Sequence, residues 1–254
     1  MTSTLWTHDS FINPNIPFVF NKEITEYDMK EAGFSLTKEF QLLDKDTIKK
    51  LEKYPKDQRK IRLGVIQRED EKYRENLKNA FKDARKVFFE INEIEDSDII
   101  SIKKDAILTM KRCKTTKLGE FIEFRPKHFY TSYIQLDKKL EFYYSPNELD
   151  VKGISDEMLD YHKEYMIKFI KQFFKKMETE EDVDVIEFTR RFIDKYKRRE
   201  LEVGYYRSFD HNGYFIVPTE PDKIYTDYWE DQKEDLDISY NFQNILLKLI
   251  RIPL

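Results

Sequence analysis

Apolar residues change their spacing along the chain, and each change marks an expected element. Between 18 and 28, Phe18, Val19, Phe20 and Ile24 lead into an acid, Asp28, as a short strand would. Over 29–43, Phe34, Leu36, Phe40, Leu42 and Leu43 make one apolar side of an expected helix. Asp44 then caps a helix over 44–53 that stops before Pro55. Residues 69–92 place Leu77, Ala80, Phe81, Ala84, Val87 and Phe88 at helical spacing, an expected buried stripe. The stretch DSDIISIKKDAIL at 96–108 returns to strand character. Ile99, Ile100 and Ile102 precede a single acid, Asp105, and Ala106, Ile107 and Leu108 follow it.

Further along, 121–125, 130–134 and 140–144 are rich in β-formers and predict three strands of an antiparallel sheet, with a hairpin turn at 137–139. A helix is expected from 155 to about 177, buried through Met166, Phe169, Ile170, Phe173 and Phe174. An acidic break at 178–184 separates it from a second helix over 185–199, with Ile186, Phe188, Phe192, Ile193 and Tyr196 on its apolar side. The tail holds a strand candidate at 213–217, an acidic aromatic segment at 220–237 and an amphipathic helix candidate at 240–252. Residues 1–17 read as an extended arm. The pattern is α+β: an antiparallel sheet with packed helices, followed by a mainly helical C-terminal region.

Composition adjusts this picture. With 254 residues the chain is long enough to bury a real core. Its 20 Phe and 16 Tyr supply area that a hydrophobic content of 40% otherwise leaves short. Only 6 Gly and 8 Pro favour long regular elements. A single cysteine, Cys113, excludes an internal disulfide and suits a reducing compartment. No apolar run reaches the length of a membrane span and the N-terminus lacks a signal layout, so a cytoplasmic protein without a membrane partner is expected. Small size with a lysine and aromatic bias suits a phage or mobile-element protein. The net charge of −4 argues against a generally basic surface but permits one basic channel.

Candidate chemistry begins at the two acids. Asp105 between apolar strand residues needs a partner if buried. Lys103 and Lys104 beside it, or exposure at a turn, would satisfy it. Alternatively, Asp28 and Asp105, each ending a strand, place two carboxylates side by side as ligands for divalent cations. Basic residues are grouped nearby: Arg59, Lys60, Arg62 and Arg68 on an expected helix, and six between Lys103 and Lys117. A further group, including Arg190, Arg191, Lys195 and Arg198, lies on the helix over 185–199.

Four stretches, in order, resemble the palm of family B DNA polymerases. EYDMKEAGFSL at 26–36 resembles the first catalytic motif, and SIKKDAI at 101–107 the hairpin of the last. FRPKHFY at 124–130 and DVKGI at 150–154 resemble the lysine-tyrosine and lysine-glycine segments that approach the primer end. LKNAFKDARKVFFE at 77–90 stands where that family has a palm helix. Lys104 stands where the family usually has a further aspartate, and no fingers motif or exonuclease region is visible. The resemblance implies a palm-like domain over 18–154 with reduced fingers at about 37–76, and a thumb-like region and tail over 155–254. It implies two Mg2+ ions on Asp28 and Asp105, and Arg59, Lys60, Arg62 and Arg68 on an incoming nucleoside triphosphate. Primer-template nucleic acid would meet Lys103, Lys104, Arg125, Lys127, Tyr130, Lys152, Arg190, Arg191, Lys195 and Arg198. Other replication subunits are further expected partners. Two alternatives stay open: a non-catalytic nucleic-acid-binding or structural subunit on the same fold, and an unrelated α+β interaction protein.

Overall fold

The computed structural model describes residues 2–136, 140–153, 156–198 and 200–202, together with Tyr205, 208–209, 215–216 and Leu249. The expected turn at 137–139, the acidic segment at 220–237, and most of the strand at 213–217 and helix at 240–252 lie outside these residues. Two compact units divide the chain. Unit 1 takes Met1–Ile16 and Lys22–Tyr130; unit 2 takes Pro17–Asn21 and Thr131–Leu254. The change at Tyr130 comes well before the boundary expected at 154.

Unit 1 is built on a five-stranded antiparallel sheet. Its strands are β1 (Ser10–Ile12), β3 (Ile24–Met29), β4 (Ile99–Lys103), β5 (Ala106–Thr109) and β6 (Phe124–Tyr130), in the order β1-β4-β5-β3-β6. The expected arm therefore supplies an edge strand, with Phe11 opposite Ile102. Asn13 secures it: its buried side-chain amide donates to the carbonyls of Ile99 and Asp96. Four helices follow: α1 (Ala32–Glu39), shorter than the helix expected over 29–43 so that Phe40, Leu42 and Leu43 lie beyond its end, then α2 (Lys45–Glu52), α3 (Lys56–Glu69) and α4 (Glu71–Ile91) near their expected places. Asp44 caps α2, accepting from the amides of Asp46 and Thr47. Asp70 breaks the helical run between α3 and α4 by accepting from the Tyr73 amide.

The apolar face of α4 lies on the sheet. Phe88 is fully buried, stacked on Phe124 with ring centroids 4.4 Å apart and 5.6 Å from the ring of Tyr27. Leu77, Ala80 and Ala84 are buried as expected, but Val87 is not: it is 38% exposed, beyond the edge of the stripe. Arg85 takes a place in the buried face instead.

Two strand expectations change. The run at 18–28 splits into β2 (Phe18–Val19), which belongs to unit 2, and β3. The strand expected at 121–125 starts later, at Phe124, runs to Tyr130 as β6, and joins the first sheet rather than the second. Its polar Arg125, Pro126 and Lys127 hid the pattern. Pro126 is tolerated because β6 is an edge strand.

Unit 2 holds a four-stranded antiparallel sheet of β2, β7 (Ser132–Gln135), β8 (Glu141–Ser145) and β9 (Glu148–Lys152), in the order β2-β7-β8-β9. The strand β9 was not expected. Helices α5 (Asp156–Thr179) and α6 (Asp182–Lys197) close its core around Phe169, Ile170, Phe173, Phe174, Val185, Ile193 and Tyr196. A short pairing of β10 (Ser208–Phe209) with β11 (Phe215–Ile216) completes the described strands. The architecture is α+β, with two main antiparallel sheets and six helices among the described residues. No helix among them is long and apolar enough to cross a membrane.

Candidate functional site

Asp28 and Asp105 sit on adjacent antiparallel elements. Asp28 is opposite Ala106 in the β3–β5 register, and the Met29 amide donates to the Asp105 carbonyl at 3.0 Å. Asp105 occupies the turn between β4 and β5. Lys104 before it has φ 52°, a left-handed conformation that costs a non-glycine residue about 1 kcal/mol. Both acids are half-buried. They line one cavity of about 760 Å³ in unit 1, together with Lys56, Arg59 and Lys60 from α3. Arg74, Glu75, Lys78 and Arg85 from α4, with Asp9, Glu31 and Lys104, make up the rest of its charged lining.

The two acids feel each other. Burial first, and then the charge of Asp105, hold the Asp28 carboxyl above the ordinary aspartate range; Lys127 and Lys56 work in the opposite direction. A carboxyl whose folded pKa is raised binds its proton more tightly in the folded state. Its contribution to stability is complete below the ordinary aspartate pKa and is lost as pH rises through the raised value. Melting curves over about pH 3 to 7 should show this loss in the wild type and less of it in Asp28→Asn. An identical pH dependence in the two proteins would contradict the coupling.

Arg59 is held at the cavity wall by Glu31, with its guanidinium 2.7 Å from the carboxylate and 4.4 Å from the centroid of the Phe34 ring. Its Nε is buried with no protein partner. Lys60 lies beside it in the lining. Arg62 and Arg68 do not join them: Arg62 stacks on Tyr54, 3.9 Å from the ring centroid, lining a separate groove, and Arg68 bonds back to the Gly64 carbonyl. The four basic residues therefore do not share one helix face.

On β6, opposite Asp28, Arg125 is exposed and donates to Glu123 at 2.9 Å. Lys127 is exposed, and its charge favours the ionised form of Asp28. Tyr130 is only 1% exposed, stacked near His128, so its ring offers no surface for a base. Lys103 is half-buried at the end of β4 and Lys104 is exposed in the turn.

Within unit 2, the Lys152 amine lies 3.4 Å from Asp150 and 4.8 Å from the centroid of the Tyr143 ring. Arg190, Arg191, Lys195 and Arg198 are exposed along α6 and just past its end, with Arg191 paired to Glu187.

Sequence reasoning missed several residues. Lys56 belonged to the basic stretch already noted. Asp9 had no visible signal. Arg85 did: it stands four residues after Phe81 and four before Phe89, inside an apolar helix face. Its side chain is fully buried. Burial pulls its pKa down, while the bond to Asp9 and the charges of Asp9 and Asp105 favour the charged form. Among the described residues, no group of three or more His, Cys, Asp or Glu side chains is placed to share a metal ion.

Unit 1 of this α+β protein thus sets a carboxylate pair in a cavity lined by both acids and cations. The whole chain, residues 1–254, matches the family described as Bacteriophage PBS1 gene 130 protein. The chain belongs to this phage protein family. A search among curated proteins found no match.

Proposed function

We propose that the protein is a magnesium-dependent nucleotidyltransferase that extends a primer on a nucleic-acid template. One observation carries the reading: Asp28 and Asp105 come from adjacent antiparallel elements into one cavity that α3 lines with Lys56, Arg59 and Lys60. The strand order supports it further. A hairpin carrying Asp105 lies beside the strand carrying Asp28, with α4 against the sheet, as the palm resemblance implies.

The donor set suits a hard cation, because both groups are carboxylates and the folded site disfavours the ionised form of Asp28. Asp28 and Asp105 would hold magnesium, which when bound stabilises attacking and leaving oxygens in phosphoryl transfer. Lys56, Arg59 and Lys60 bind the phosphates of the incoming nucleotide as fixed positive charge. The Glu31 bond and the Phe34 ring hold Arg59 in place for this, so that it needs no reorganisation when substrate enters. Lys127 and Arg125 offer charge to the primer strand from the neighbouring β6. The exposed cations of α6 supply sequence-independent affinity for a phosphate backbone.

The direct test is incorporation of a labelled nucleotide onto a primed template, with magnesium and with chelator. Extension in magnesium alone supports the reading, and none in either sinks it. Nucleic-acid affinity should also fall with salt. Changing Arg190, Arg191, Lys195 and Arg198 to glutamine should reduce the slope of log affinity against log salt by about 0.7–0.9 per lost phosphate contact. Equal slopes in variant and wild type would remove α6 from the interface.

A second reading rests on the charges around the turn. Lys104 stands beside Asp105, and Arg85 is close enough to feel its charge. These favour a subunit that binds nucleotide or nucleic acid without chemistry. Saturable triphosphate binding with no extension would select it.

A further inference from the structure

We infer that Arg85 is a positioning residue: it clamps the N-terminal arm to the Lys104–Asp105 turn and so fixes where the Asp105 carboxylate is presented. The inference builds on the functional reading above, which gives Asp105 its role.

The geometry is specific. Arg85 Nη1 donates to the Lys104 carbonyl at 2.6 Å, Nε to the Trp6 carbonyl at 3.0 Å, and Nη2 to Asp9 Oδ1 at 3.2 Å. The Lys104 amide in turn donates to the Asp9 carbonyl at 2.8 Å. Both peptide groups of Lys104 are thus engaged, one by the arm and one by the guanidinium that the arm also binds. Lys104 holds a left-handed conformation that lysine does not favour, so an external restraint on it is needed. The next residue is Asp105, whose own carbonyl is tied to β3 through the Met29 amide. The turn is therefore fixed from both sides, and Asp105 has little backbone freedom left.

A core role alone does not account for this. An apolar side chain would fill the same place on α4 at lower desolvation cost. What arginine adds is a planar fork able to satisfy two carbonyls and a carboxylate at once. Lysine carries three donors at a single nitrogen and lacks the spread of the guanidinium fork over these acceptors. Groups that orient a metal-binding side chain from behind typically change metal affinity by about 10- to 100-fold when removed.

The experiment uses the full chain with Arg85→Met, Arg85→Lys, Asp9→Asn and the Arg85→Met/Asp9→Asn pair. Hydrogen exchange read by peptide should rise at the turn amides of 104 and 105 and stay unchanged in the β3–β5 ladder. Mn2+ affinity should weaken about 10- to 100-fold in Arg85→Met, by less in Arg85→Lys, and in the pair by no more than in Arg85→Met alone. Arg85→Lys and Asp9→Asn keep the test open should Arg85→Met not fold. Exchange that rises across the whole sheet, or not at all at the turn, overturns the assignment. So does unchanged Mn2+ affinity in a variant whose turn has loosened. Should the wild type bind no Mn2+, the catalytic reading falls by itself, while turn-confined exchange still supports the clamp.

Discussion

Asp28→Asn and Asp105→Asn are each expected to reduce magnesium-dependent primer extension by about 10³-fold or more, because a bound ion supplies several kcal/mol of charge stabilisation and each 1.4 kcal/mol is a factor of ten. The same changes should leave the cation-free fold intact. Asp28→Asn should raise its melting temperature near neutral pH, since burial and the charge of Asp105 both oppose ionisation of Asp28. This pairing of lost activity with retained or increased stability is the signature of a functional carboxylate. A structural acid behaves in the opposite way: losing a charged hydrogen bond lowers stability by about 1–3 kcal/mol and magnesium alters nothing. Extension that persists in both variants removes Asp28 and Asp105 from the chemistry.

Phe88→Ala should produce the largest stability loss in unit 1. Phe88 is fully buried between α4 and the sheet, against Phe124 and Tyr27. Large-to-small changes at such aromatic positions cost about 3–5 kcal/mol, because the transfer energy is lost and a cavity remains. Tyr27 and Phe124 neighbour the acid on β3 and the basic run on β6, so the cavity would open beneath the site. Denaturant unfolding followed by Trp6 emission, in a Trp229→Phe background, reports unit 1. Because each unit has its own core, a single two-state transition should not be assumed for the whole chain. A loss below about 1 kcal/mol would mean that Phe88 does not anchor the helix to the sheet.

What the sequence disclosed, and what it hid, follows from the range of each signal. Helices α2 and α4 were legible because periodicity, the Asp44 cap and Pro55 all act within a few residues; the Asp70 cap that separates α3 from α4 was not read from the sequence. The β4–β5 hairpin was legible for the same reason. Its pairing with β3 was visible only through motif order, since strand partnership is a long-range property. The split at 18–28 was hidden because only 20–23 separate β2 from β3 and both hold strand-forming residues, yet they belong to different sheets. Strand β6 was partly obscured because an edge strand tolerates Pro126 and exposed charge. At the site, the acids were apparent as charges interrupting apolar strands. Arg62 and Arg68 misled because composition does not specify which side of α3 faces the cavity. Arg85 went unassigned because the stripe was traced through its apolar residues alone, although the Arg85 side chain is fully buried.

Asp28 and Asp105 should together hold a divalent cation. Mn2+ binding to the metal-free wild type, Asp28→Asn, Asp105→Asn and the double variant, followed by electron paramagnetic resonance, tests it most directly. The wild type should bind saturably, each single variant more weakly and the double variant not at all. Wild-type binding that the double variant retains, or no saturable binding by the wild type, would contradict it.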